Sequence, residues 1–186
     1  MFFSSLSKIK KAILLSSVLS LMCFTNVTSA YSLADAKAEY PKIKIKTETR
    51  LNDAGIEVTE NESRLFISNV APARLRIYAV ESGELKFAYA LVQYQGGYWY
   101  FFNKLTIGDG VKATTFQPKY EPTRNVGGGW VYEYLSFAID KDNLDVWKNA
   151  KIIRMHGERG TSDIPINPEK YNQAMDILSK FLDETK

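Results

Sequence analysis

The stretch Gln95-Gly96-Gly97-Tyr98-Trp99-Tyr100-Phe101-Phe102 sets five consecutive aromatic residues directly after a glycine pair. In a strand, Tyr98, Tyr100 and Phe102 share one face and Trp99 and Phe101 the other, so both faces are apolar. A solvent-facing platform would alternate aromatic with polar residues. The pattern therefore predicts a central strand packed on both sides, entered from a Gln95-Gly96-Gly97 turn. Fourteen of the 51 residues from Phe87 to Phe137 are aromatic, so some tyrosines are expected at the surface. Tyr98, beside the glycines, is the best placed of them. A tyrosine-rich rim of this kind stacks on sugar rings or anchors protein interfaces.

The flanking segments also read as β-structure. Leu85–Tyr94 is apolar on both of its faces and predicts a central strand covered on both sides. Before it, Arg74–Val80 alternates, and Glu81-Ser82-Gly83-Glu84 is a hairpin turn. Arg64–Asn69 carries Leu65 and Ile67 on one face. Lys42–Lys46 alternates three lysines with Ile43 and Ile45, the mark of an edge strand. Asn52–Gly55 is a turn, and Ser32–Tyr40 a short helix ended by Pro41.

Downstream, Gly108-Asp109-Gly110 is a turn and Val111–Phe116 a short strand. Gln117–Gly129, with Pro118, Pro122 and three closing glycines, reads as a long loop. Trp130–Ile139 is a strong strand, Asp140 caps a short helix through Trp147, and Lys151–Met155 is a further strand. Asn167-Pro168-Glu169 opens the last helix, whose stripe is Tyr171, Ala174, Met175, Leu178, Phe181 and Leu182. These elements predict one α+β domain over residues 31–186. Its expected form is a curved antiparallel β-sheet or sandwich-like meander of six to eight strands, with the C-terminal amphipathic helix packed on one face.

Residues 1–30 read as a cleaved Sec-type signal peptide. Lys8, Lys10 and Lys11 precede an apolar run, Ala12–Phe24, and Thr28-Ser29-Ala30 offers a small-residue cleavage site before Tyr31. Cys23 closes the apolar run as a lipid-anchored cysteine would, but Met22 is too large for the preceding lipobox position. The whole chain has 24 basic and 21 acidic residues. The first 30 hold three lysines and no acid, so the remainder carries 21 of each sign and no net charge. That balance argues against a general nucleic-acid or anionic-membrane binder. The sole cysteine leaves with the signal, and a Cys-free exported domain fits a bacterial periplasm, with lipid anchoring at Cys23 or full secretion as alternatives. The Asn61-Glu62-Ser63 sequon matters only in a eukaryotic host.

Catalytic patterns are scarce. His156 is the only histidine, and His156-Gly157-Glu158 lacks the cysteine pair of a zinc deaminase. Asp140-Lys141-Asp142-Asn143 lacks the glycine and terminal glutamate of a calcium loop, and helix capping explains it better. Gly127-Gly128-Gly129 has no following lysine, as a phosphate loop would, and no Gly-x-Ser-x-Gly elbow occurs. No metal site, cofactor or catalytic residue is predicted. Glu133 shares a strand face with Val131, Leu135, Phe137 and Ile139, so a buried ion pair is expected there, with Arg154 as its partner. A polar spot in a ligand pocket is the alternative.

The expected function is that of a small, non-catalytic envelope protein acting through protein–protein contact, in the manner of an immunity or inhibitor protein. Tyr98, Tyr120, Arg124 and Trp130 are its candidate binding residues. The alternatives are a glycan or small-ligand module using the tyrosine rim and a carboxylate-dependent hydrolase. A surface cavity lined by Tyr and Glu would favour those alternatives.

Overall fold

The computed structural model describes residues 30–68, 70–83 and 85–183. Residues 1–29, with Cys23 and most of the segment expected to be a signal peptide, lie outside the described residues, as do Asn69 and Glu84. The chain is α+β. Ten strands are described: β1 (Ile45–Leu51), β2 (Glu57–Ser68), β3 (Ala73–Ser82), β4 (Leu85–Gly96), β5 (Phe102–Gly108), β6 (Ala113–Phe116), β7 (Thr123–Gly127), β8 (Trp130–Ile139), β9 (Ile152–Gly157) and β10 (Gly160–Asp163). The helices are α1 (Leu33–Glu39), α2 (Lys141–Lys148) and α3 (Pro168–Leu182).

The strands form two antiparallel sheets, ordered β1-β2-β3-β4-β8-β7 and β10-β9-β5-β6. Both enclose one core. Leu75 and Ile77 of β3, Leu135 and Phe137 of β8, Leu105 of β5 and Met155 of β9 meet there with Trp147 of α2 and the α3 stripe. Tyr171 packs edge-on against Phe66 at 5.2 Å, and its hydroxyl donates to the Trp147 carbonyl at 2.8 Å. The expected caps hold: Asn167 accepts the Lys170 amide, and Asp140 forms a capping box with Asn143. Short-range turn chemistry closes the hairpins. Asn52 accepts from Ala54 and Ile56 at the β1–β2 turn, and Gly83 supplies a φ of 60° between β3 and β4.

Several readings change. β4 is central in its sheet but covered on one side only. Ala88, Ala90 and Val92 are buried, whereas Tyr89 and Leu91 are half-buried and Leu85 and Phe87 exposed. Its second apolar face gave the appearance of a fully covered strand. The Gln117–Gly129 loop contains strand β7, paired with β8 from Thr123↔Tyr134 to Gly127↔Trp130. Gly128 and Gly129 take φ of 57° and 79° in a two-residue turn, the geometry that a twisted hairpin requires. The third concerns the aromatic stretch. Tyr98–Phe101 is not a strand; it crosses from β4 in the first sheet to β5 in the second, which starts only at Phe102. A second small sheet also raises the strand number above the six to eight expected, and the edge strand expected over Lys42–Lys46 starts only at Ile45, with Lys42–Lys44 outside any strand.

Candidate functional site

The crossover is held by one side chain. Glu133 is fully buried in the middle of β8, and its carboxylate meets three successive amides of the aromatic stretch. The Tyr100 N–H donates to Oε1 at 2.7 Å, the Phe101 N–H to Oε1 at 3.1 Å and the Phe102 N–H to Oε2 at 2.8 Å. Three N–H groups converge on one anion only if the backbone coils tightly. Phe101 accordingly has a φ of 54°, a left-handed conformation rare for a bulky residue. Gly157 makes room, since a Cβ there would collide with the Tyr100 carbonyl.

The charge of Glu133 is matched by Arg124 of β7. Its Nε lies 3.3 Å from Oε2, and its Nη2 donates to the Phe102 carbonyl at 3.2 Å. The two residues face each other across the β7–β8 ladder. Burial and the nearby Tyr100 and Glu133 groups hold the Tyr94 hydroxyl above its ordinary range. On the outer side the Phe101 ring receives the guanidinium groups of Arg124 and Arg159, at 5.4 and 5.1 Å from its centre, and stacks loosely on Trp99.

The expected Glu133–Arg154 pair does not form. Arg154 lies on the other sheet and binds Asp163 of β10 through Nε at 2.5 Å and Nη2 at 2.9 Å. That partnership raises the Arg154 pKa and holds the Asp163 carboxyl below its ordinary range, mainly through the hydrogen bond. Strand parity identified a buried carboxylate correctly. It does not identify the partner, because Gln117–Gly129 reads as loop while Thr123–Gly127 is strand β7.

A second feature lies on the opposite face of β8. Trp130, Tyr132, Tyr134 and Ser136 alternate with the buried set and point away from the core. Cross-strand pairing brings them into rows: Tyr132 with Gln95 and Asn125, and Tyr134 with Gln93, Arg74 and Thr123. The next rows add Arg76 with Leu91, and Tyr78 with Tyr89, whose rings stack at 4.9 Å. Arg76 donates to Gln93 at 3.0 Å, and the Tyr89 hydroxyl to Glu62 at 2.8 Å. Burial, then that hydrogen bond, pushes the Tyr89 pKa well up. The buried residues of all three helices except Ala36 and Ile177 join the core cluster on the other side, so among the described residues no helix covers this face.

The four predicted binding residues do not converge. Tyr98 (79% exposed) follows β4 at the end of the sheet where Trp130 (48% exposed) begins β8. Tyr120 (66% exposed) lies beside the middle of β8, since the Lys119 amide bonds to the Ser136 carbonyl. Six residues of strand, roughly 20 Å, separate that point from Trp130. Arg124 turns inward to Glu133. The residues that do form a surface, Arg74, Arg76, Tyr132 and Tyr134, were visible as the polar-and-aromatic half of two alternating strands. Among the described residues no cluster of three or more His, Cys, Asp or Glu groups is arranged to hold a metal ion. Comparison with protein families, curated proteins and solved structures found no match.

Proposed function

We propose that this chain is an exported, non-catalytic binding protein that recognises a protein partner through the outer face of its six-stranded sheet. One observation carries the proposal: an uncovered face presents Trp130, Tyr132 and Tyr134 beside Arg74 and Arg76. Trp, Tyr and Arg are the types that dominate interface energetics. Neither arginine has a carboxylate within ion-pair distance among the described residues, which favours a partner rich in hydrogen-bond acceptors. Glu62, the acid at the margin of this face, is engaged by Tyr89, which favours binding over acid–base chemistry. An exported form starting at Tyr31 is supported by the docking of that residue. Its carbonyl accepts from Lys86 at 2.7 Å and its hydroxyl donates to Glu39 at 3.0 Å.

A photoreactive phenylalanine analogue placed at Tyr132 in the expressing bacterium should give a covalent adduct with one envelope protein. The same group at Lys148, exposed on α2 at the core side, should give none. Adducts from both positions, or from neither, would overturn the proposal. N-terminal sequencing of envelope material should begin at Tyr31; a full-length cytoplasmic chain would refute export.

A further inference from the structure

An open groove of about 900 Å³ lies at the far flank of the same sheet, where β1 and β2 part company. Its walls are the Tyr40–Lys44 strap, the Arg64–Ile67 run of β2, and Glu169, Lys170 and Gln173 of α3; Tyr78, Glu39 and Glu62 also line it, so with Tyr40 it is a cavity of the Tyr- and Glu-lined kind that the glycan and hydrolase alternatives call for. The β1–β2 ladder stops at Ile45↔Ser63, while β2 continues to Ser68 and pairs there with β3 alone. The strap leaves the sheet, tied to α1 by the Lys37 ammonium on the Ile43 carbonyl at 2.8 Å. On the side away from β3, the backbone of residues 64–67 has no hydrogen-bond partner among the described residues. The backbone groups of alternate residues along this run, about 13 Å of strand, therefore face the groove without a strand partner.

The charged side chains around that edge are mostly basic, with Glu169 the one wall acid outside the ion pairs and hydrogen bonds found among the described residues. Lys42, Lys44, Arg64 and Lys170 are exposed, and none takes part in the five ion pairs found among the described residues. Two of the three acids on the walls are engaged elsewhere, Glu39 by Lys180 and Glu62 by Tyr89. Between the cations lie Ile43, Leu65 and Ile67, all half-buried. A β-bulge between Arg64 and Phe66 sets Arg64 and Leu65 together on the wall.

We infer that this groove binds an extended acidic peptide segment of a partner protein, which adds as a strand to the free edge of β2. The open edge supplies main-chain hydrogen bonds, and the alternating cations and apolar residues select a strand that alternates acidic and apolar side chains. The groove lies apart from the Trp130–Tyr134 surface, so either site can fail its test while the other stands.

The test uses a fluorescein-labelled, end-blocked hexapeptide of alternating glutamate and valine, titrated with the chain from Tyr31 onward and followed by fluorescence polarisation. Saturable binding below about 1 mM is expected, weakening as salt is added. K44E combined with K170E should lower affinity by about tenfold or more with an unchanged circular dichroism spectrum, since both side chains are exposed. Two further peptides carry N-methyl groups on one or the other set of alternate amides. Strand addition requires one set and leaves the other free, so one peptide should lose binding and the other keep it. Absence of saturation, equal binding by the two methylated peptides, or tighter binding of an oligogalacturonate of equal charge would overturn the inference.

Discussion

Glu133 is the one charged side chain among the buried polar groups of the described residues, and replacing it should be costly. In Glu133→Ala the Phe102 amide, fully buried, loses a charge-assisted bond worth about 1.5–3 kcal/mol. The Tyr100 and Phe101 amides are partly buried, and about 1 kcal/mol each is a fair discount. The sum, about 3.5–5 kcal/mol, agrees with the roughly 3–5 kcal/mol lost when a buried charge pair is broken. A domain of ordinary stability, about 5–15 kcal/mol, would be left marginal. Glu133→Gln keeps one carbonyl acceptor but turns an NH2 group toward an N–H donor and removes the countercharge of Arg124, so about half the loss is expected. Urea unfolding followed by tryptophan fluorescence measures both by linear extrapolation. A loss below about 1 kcal/mol for the alanine variant, against the range for an unsatisfied buried group, would refute the fastening role. A double-mutant cycle adds an internal check: Glu133→Gln should couple to Arg124→Ala and be additive with Arg154→Ala.

Leu178→Ala, at a fully buried position of α3, should destabilise by about 2–5 kcal/mol in the same assay, and a change under about 0.5 kcal/mol would place the stripe at the surface. Gly129→Ala, at a φ of 79°, should cost about 1–2 kcal/mol with nothing in steric contact, a loss due to backbone conformation alone. The hydrogen bond from Lys180, then that from Tyr31, holds the Glu39 carboxyl below its ordinary range. Its contribution is therefore complete above about pH 4.3, the unfolded value, and is lost as pH falls through the depressed folded value. Amide exchange at Tyr40, whose N–H closes α1 on Ala36, should accelerate relative to α3 in acid. Lys180→Gln should bring that acceleration to higher pH.

Local signals carried most of the fold. Alternation placed β3 and β8, cap residues opened α2 and α3, and strand parity found the buried carboxylate at Glu133. What parity could not supply was the pairing of elements distant in sequence. The stretch from Tyr98 to Phe102 has the composition of a core strand, yet the amides of Tyr100, Phe101 and Phe102 are satisfied by a side chain 31–33 residues away. No periodicity registers that substitution of a carboxylate for a neighbouring strand. β7 was hidden by Pro122 and three glycines, although two of those glycines mark a tight hairpin as strongly as they mark a loop. Once β7 is missed, Arg124 has no place opposite Glu133, and an arginine of matching parity elsewhere takes its role. The groove beside β2 depends on where one strand stops pairing, which composition does not report.

The left-handed turn at Phe101 also has a kinetic meaning. Nothing local organises residues 100–102 into a nest of three amides; the nest exists only when β8 delivers its carboxylate. The chain must first close a loop of about thirty residues and bring β8 beside β4, at an entropic cost paid before these bonds form. The crossover is therefore expected to order after the first sheet has assembled, with its contacts absent from the rate-limiting barrier. Glu133→Gln should raise the unfolding rate and leave the refolding rate nearly unchanged, a φ-value close to zero. The aromatic stretch, whose composition suggests the seed of the fold, is then its latch, and its opening governs how long the folded molecule survives.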